Sequence, residues 1–349
     1  MQSNNKQSNT KLRRAALWLC CLVTLPLAVA CGGDDDTPAT ATTPPVTQPP
    51  VTQPPPTPTA TLALAGDLSA PATVTLAQLQ ALPPATQTVS FTSGSGAQTH
   101  TYTGTSAWNL LNQTGITVNA AIHNDILGKY VVATGSDGYR SVFAMGELNP
   151  DFGNRGNQIV YAETVNGASA ALTTDGPLRI TAPGDIKGGR YVSGLVRLDV
   201  LSASSTATGT GGGVSTSFQL RGAVATPATF NLAALQALPV VTRTIGANTY
   251  TGVSLWDLIN AAGIQTNSAI KNDLLGFYLV ATGTDGYRTV ISLGEISPDF
   301  GNQPDIVAYA MNGTPLTTNG FARLVVPNDT KAGRYVSNLI ALEVLSAPR

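Results

Sequence analysis

The sequence predicts an α+β fold made twice in tandem, each copy a mixed sheet with short helices at its edges, and three observations lead there. The segment from Leu62 to Ala203 is echoed by Phe218 to Ala347: Asp137-Gly138-Tyr139-Arg140 returns as Asp285-Gly286-Tyr287-Arg288, and Gly189-Arg190-Tyr191-Val192-Ser193 as Gly333-Arg334-Tyr335-Val336-Ser337. Period-two strands and short helical runs follow one another without the regular alternation of a doubly wound parallel sheet. A unit of this length also buries its own core, unlike a solenoid repeat. Trp108 recurs 148 residues on as Trp256, but Arg190 recurs 144 on as Arg334, so the copies differ in length at their loops.

Taken in order, Leu76, Leu79 and Leu82 lie at helical spacing behind Thr75, an N-cap, and Pro83 stops the run; Leu232, Leu235 and Leu238 do the same before Pro239. A second helix is expected from Ser106 to Gly115, with Trp108 and Leu111 facing inward. Its counterpart has Ser254 as cap, Asp257 at the capping-box position and Gly263 as terminator. Tyr130–Thr134 and Tyr139–Phe143 flank Gly135-Ser136-Asp137-Gly138 as a hairpin. Ile159–Val165, Leu178–Thr181 and Leu195–Leu201 supply further strands, the last with Val196, Leu198 and Val200 expected inward and Arg197 and Asp199 outward.

Lys11, Arg13 and Arg14 precede an apolar run from Ala15 to Ala30 that is short for a bilayer span and has the charge order of a secretory signal. It ends Leu27-Ala28-Val29-Ala30-Cys31, like a bacterial lipoprotein cleavage site, so Cys31 is the expected lipidated N-terminus; an ordinary signal peptide is the alternative. The expected organisation is a signal over 1–30, a Pro/Thr-rich stalk over 31–60, a domain over 61–203, a Gly/Ser/Thr linker over 204–217 that lets the domains reorient, and a second domain over 218–347. The expected location is the bacterial cell envelope, lipid-anchored on the periplasmic or surface face of the outer membrane.

All three cysteines (Cys20, Cys21 and Cys31) precede the domains, which excludes iron–sulfur clusters, cysteine-based zinc sites and cysteine nucleophiles from them. With only His100 and His123, imidazole metal sites are nearly excluded too. Beyond the signal, 15 basic residues face 20 acidic ones, so nucleic acid is not an expected partner.

The ordered set of motifs resembles the molybdopterin-binding domain of sulfite-oxidase-type oxidoreductases in a short, stand-alone bacterial form. The set comprises Gly66, Pro71, Thr75 and Leu76; Tyr102, Gly104 and Trp108; Asp137-Gly138-Tyr139; Asn166-Gly167; Gly176-Pro177-Leu178-Arg179; and Gly189-Arg190-Tyr191-Val192. Their echoes include Tyr250, Gly252, Trp256, Asp285-Gly286-Tyr287, Asn312-Gly313, Arg323 and Arg334. The resemblance implies a pterin cofactor held near Tyr139, Arg179, Lys187 and Arg190, and near Tyr287, Arg323, Lys331 and Arg334. It also implies a molybdenum-ligating cysteine between the first helix and the Tyr-Gly-Trp region. Here that stretch reads Val89-Ser90-Phe91-Thr92-Ser93-Gly94 and, in the second copy, Thr244-Ile245-Gly246, with no thiolate. A lysine that the family carries near the pterin phosphate is replaced by Ser193 and Ser337.

Residue by residue, the glycine-flanked Lys187/Arg190 and Lys331/Arg334 are either anion-binding loops or surface turns whose arginine stems pack on Tyr191 or Tyr335. Asp151, Asn154 and Asn157, with Asp299, Asn302 and Asp305, read as turn chemistry in preference to a Ca²⁺ loop. His100 lacks a counterpart, His123 is answered by Lys271, and neither has an evident orienting carboxylate. Trp108 and Trp256 are expected to pack. Three functions remain open: a non-catalytic envelope lipoprotein that binds an anionic small molecule or a cell-surface partner, with no catalytic residue, metal or cofactor; a molybdopterin-dependent oxidoreductase; and an adhesin or small-ligand receptor.

Overall fold

The computed structural model describes residues 60–349; the signal, Cys31 and the stalk up to residue 59 lie outside the described residues. The first copy contains β1 (Thr61–Gly66), β2 (Ala72–Thr75), α1 (Leu76–Gln80), β3 (Ala85–Ser93), β4 (Gly96–Ser106), α2 (Ala107–Thr114), β5 (Lys129–Gly135) and β6 (Arg140–Ala144). It continues with α3 (Met145–Leu148), β7 (Gln158–Val165), β8 (Ala168–Ala171), β9 (Arg179–Ile180) and β10 (Leu195–Ser202). The second copy follows the same order: β11 (Ser217–Gly222), β12 (Ala228–Asn231), α4 (Leu232–Gln236), β13 (Val241–Ile245), β14 (Asn248–Ser254), α5 (Leu255–Ala261), β15 (Phe277–Gly283) and β16 (Arg288–Ser292). It ends with α6 (Leu293–Ile296), β17 (Ile306–Met311), β18 (Thr314–Pro315), β19 (Arg323–Val325) and β20 (Leu339–Ser346). Among the described residues no helix is long and apolar enough to cross a membrane.

Each copy holds two sheets. One runs β2-β1-β10-β5-β6, repeated as β12-β11-β20-β15-β16; the other runs β3-β4-β7-β8 with β9 on β7, repeated as β13-β14-β17-β18 with β19 on β17. The β1/β10 pair is parallel and its neighbours are antiparallel, which makes the first sheet mixed, as the sequence predicts. The helices are fixed by their caps. Thr75 and Gln78 close a full capping box at α1, and Ser106 and Ser254 accept the N–H of Asn109 and Asp257 at α2 and α5. Trp108 and Trp256 pack, half-buried, against the cores beside Leu111 and Ile259.

One strand departs from the expected pattern. A bulge between Leu195 and Arg197 turns Val196 outward, 40% exposed, and Leu195 takes its place inside.

The copies also differ where their lengths do. Leu79 corresponds to Leu235, 156 residues on, but Trp108 to Trp256, 148 on; the missing eight residues are the outer part of the β3–β4 hairpin, which β13–β14 lacks.

Two apolar cores fill the copies, one around Leu64, Leu111, Phe143 and Leu198, the other around Leu220, Ile259, Ile291 and Leu342. A third cluster joins them. Val131 and Ala133 of β5 face the first core, while Tyr130 and Val132 of the same strand pack with Val142 on Tyr278, Val280 and Val290. Strands buried on both faces read as continuous apolar runs, and β5 and β15 are such runs.

The linker, expected to let the domains reorient, is instead docked. Ser205 and Thr206 hydroxyls and the Ala207 N–H reach the Glu343 carboxylate, and Thr210 N–H donates to Thr284 O at 2.7 Å. Burial opposes ionisation of Glu343, yet these donors hold its carboxyl below the ordinary range.

Candidate functional site

A cleft of about 620 Å³ lies where the copies meet, lined by the tip of the long β3–β4 hairpin (Phe91 to Gly94), Tyr139, Arg179 and Lys187 from the first copy and Lys271, Asn272 and Phe300 from the second. The extra hairpin length builds its wall: Thr92 N–H donates to Ile186 O at 2.8 Å, and a Cβ at Gly188 would run into the Phe91 ring.

Arg179 is buried at the back of this cleft. Its guanidinium lies 5.2–5.8 Å from the ring centres of Phe91, Tyr102 and Tyr191, donates to the Tyr102 hydroxyl at 2.8 Å and pairs with Asp175. Ser193, standing where the resemblance expects a lysine, donates to the other Asp175 oxygen at 2.8 Å. In the second copy Arg323 keeps the stacking, 5.2 Å from the Tyr335 ring.

Tyr139 and Tyr287 tie the copies together. In each, the N–H is held by the turn aspartate, Asp137 at 2.9 Å or Asp285 at 3.0 Å. The Tyr139 hydroxyl donates to Gly189 O at 2.6 Å and accepts from Asn272 at 2.8 Å; the Tyr287 hydroxyl donates to Gly333 O at 2.5 Å and accepts from Asn124 at 3.0 Å. Both asparagines sit at φ 53°, a left-handed conformation that asparagine tolerates. Burial pushes both phenols above their ordinary range.

Lys187 and Lys331 also cross between copies, to Asp299 at 2.6 Å and Asp151 at 2.7 Å. Asn154 and Asn302, at φ 46° and 47°, form turns, as the sequence reading favours. Among the described residues no group of three or more His, Cys, Asp or Glu side chains is placed to hold a metal ion.

Arg190 and Arg334 fit neither the loop nor the surface-turn reading, because both are buried. Arg190 clasps Asp185 with Nε at 2.8 Å and Nη2 at 2.7 Å and pairs with Glu147; Arg334 clasps Asp329 with Nε at 2.8 Å and reaches Glu295 at 2.9 Å. Each arginine stem lies on a glycine of the other copy, Arg190 on Gly294 and Arg334 on Gly146, where an added Cβ would collide with it.

The two glutamates occupy one position of the repeat yet titrate apart. Burial, with nearby Glu295 adding to it against the pull of Arg190, pushes Glu147 up to about 7; Ser292 of the second copy donates to its Oε2 at 3.1 Å. Burial also opposes ionisation of Glu295, but Arg334, with Arg155 at 3.9 Å, outweighs it and holds that carboxyl low. Asp305 is buried with neither carboxylate oxygen bonded, and burial together with Glu295 drives it well above the ordinary range. Its counterpart Asn157 donates to Thr181 O at 2.9 Å.

Several partners were invisible in the sequence. Glu163 supplies His100 with the carboxylate it lacks locally, 2.6 Å from Nδ1, and the ring stacks between Phe91 and Tyr102. Glu147, Asp185 and Asn272 have no motif around them; only their recurrence as Glu295, Asp329 and Asn124 marks them.

The residues present do not fit the metal centre that the resemblance implies. The stretch facing the cleft offers hydroxyls and no soft donor, and Ser90 is already paired across the hairpin with Thr99 at 2.9 Å. Of the cations expected around the pterin, Arg179, Lys187, Arg190, Lys331 and Arg334 are committed to carboxylates, while the Arg323 Nε is buried without a hydrogen-bond partner.

The family model of the oxidoreductase molybdopterin binding domain matches residues 241–348. No curated protein matches the chain. Among solved structures, the sulfane dehydrogenase SoxCD from Paracoccus pantotrophus is similar at 12% identity and a TM-score of 0.34, over 80% of this chain and 77% of that one. The segment from β13 to the end of β20 is therefore similar to the oxidoreductase molybdopterin binding domain.

Proposed function

We infer that this is an exported lipoprotein, anchored through Cys31, in which both copies derive from the molybdopterin-binding fold and serve as a non-catalytic binding or scaffold module of the cell envelope. One observation carries the reading: Arg190 and Arg334, the guanidinium groups the resemblance assigns to the cofactor, are sealed in carboxylate clasps of their own copies. The cysteine-free sequence of both copies supports it. Without a thiolate, the oxo-transfer chemistry of the family lacks its protein ligand. The junction cleft around Arg179 is then a holding site.

A molybdopterin-dependent oxidoreductase is the second reading, favoured by the family match and by a cleft at the place where the resemblance puts the metal. Molybdenum analysis of protein purified from its native host, with a fluorescence assay for released pterin, separates the two. The scaffold reading expects neither, and stoichiometric molybdenum overturns it.

A further inference from the structure

Arg140 closes the Asp-Gly-Tyr-Arg run found in both copies, yet the structure gives it nothing to do. Tyr139 beside it bridges the copies, and Asp137 holds the turn through the Tyr139 N–H. Among the described residues the Arg140 guanidinium makes no ion pair and no hydrogen bond, although it is half-buried. The buried arginines Arg179, Arg190 and Arg334 are each paired with a carboxylate, and Arg140 is not. Burial, with Arg349 nearby adding to it and Asp199 pulling the other way, lowers the affinity of Arg140 for its proton.

The guanidinium lines a cavity of about 370 Å³ that exists only because the copies pack together: Asp137, Arg140 and Val142 come from the first, Ile270, Lys271 and Phe277 from the second. Tyr139 and Asn272 form a wall shared with the junction cleft. Lys271 also has no ion-pair partner among the described residues, whereas both acidic groups here are engaged. Asp137 accepts the turn N–H, and Asp273 accepts Asn267 N–H at 2.6 Å and pairs with Arg349. Two cations without an ion-pair partner among the described residues therefore face a pocket whose apolar wall is Val132, Val142, Ile270 and Phe277.

A matching cavity of about 510 Å³ lies at the symmetry-related place, with Arg288 for Arg140 but His123 for Lys271. The two cavities give an internal comparison, since only the first combines two permanent cations.

We propose that the Arg140–Lys271 cavity is a binding site for a small organic anion, its carboxylate or phosphate head held by the guanidinium fork and the ammonium and its short apolar body on Ile270, Phe277 and Val142. A planar guanidinium suits two acceptor oxygens, and lysine adds a point charge. This site uses none of the residues the resemblance assigns to the pterin except Tyr139, whose hydroxyl is already occupied, so it stands whether or not the domains bind molybdopterin.

The test is calorimetric titration of the full chain with phenyl phosphate and with inorganic phosphate. Phenyl phosphate should bind the more tightly, and Arg140→Ala or Lys271→Ala should each weaken it about tenfold, the worth of one charge-assisted contact. Arg288→Ala, at the matching cavity, should leave it unchanged, with circular dichroism confirming that all three variants fold. No binding to wild type, equal binding by Arg140→Ala, or equal losses from Arg288→Ala and Arg140→Ala would each overturn the assignment.

Discussion

Tyr130 and Tyr278 occupy the same position in the two copies and stack on each other, ring centroids 4.3 Å apart and 29° from parallel. Both are buried at the centre of the cluster that joins the copies. Tyr278→Ala should therefore cost about 3–5 kcal/mol in urea denaturation, the range for emptying a buried aromatic site. With Trp108 or Trp256 removed in turn, tryptophan fluorescence reports one copy at a time. The two midpoints should coincide, and separate midpoints would contradict a shared core.

Stability should fall as pH rises through neutrality. Glu147 and Asp305 are held above their ordinary range in the folded protein, so what they contribute is present below that range and is lost as pH rises, for Glu147 through about 7. Glu295 is held low and acts in the opposite sense, losing its contribution as pH falls. Glu147→Gln should flatten the melting temperature between about pH 5 and 7, the window between this carboxyl's ordinary value and its folded one. An unchanged slope would place the titrating group elsewhere.

Asp305→Asn copies what the first repeat already has at Asn157. The amide can donate where the carboxylate has no bond, so the variant should gain about 1 kcal/mol at pH 8 and little at pH 4. Equal effects at both values would mean that Asp305 is not ionising there.

Arg190→Ala strands Asp185 and Glu147 as buried, unpaired carboxyls. The expected loss is about 3–5 kcal/mol in chemical denaturation, and it should be partly recovered by Asp185→Asn in the same chain. A loss no larger than that of an exposed alanine substitution would show that the clasp is not closed in solution.

Gly294→Ala sets a methyl against the Arg190 stem and should cost about 1–3 kcal/mol. Gly128→Ala, which meets open space at an ordinary φ, is the control and should be nearly silent in the same melts.

The α+β class, the two copies, the capped helices and the β5–β6 hairpin were legible because each is written in local residues: Thr75, Ser106 and Ser254 as caps, Gly135 to Gly138 as a turn. What failed depended on long-range partners. Val196 alternates properly in the sequence, but the bulge that turns it out arises in pairing with β5, more than fifty residues away. Arg190 looked exposed because glycines surround it; those glycines instead let Phe300 of the other copy approach Gly189. The linker looked free because Gly, Ser and Thr make soft chains, and nothing local points to Glu343 as their acceptor. The junction itself had one signal, the unbroken apolar run of β5, which period-two reading assigns to a one-faced hairpin.

Because Lys187 and Lys331 each close on an aspartate of the opposite copy, neither half carries a complete set of its own contacts. Covalent linkage makes their meeting intramolecular, so the pair holds at any dilution where two free halves would drift apart. An altered aspartate in one half leaves a lysine of the other without its partner.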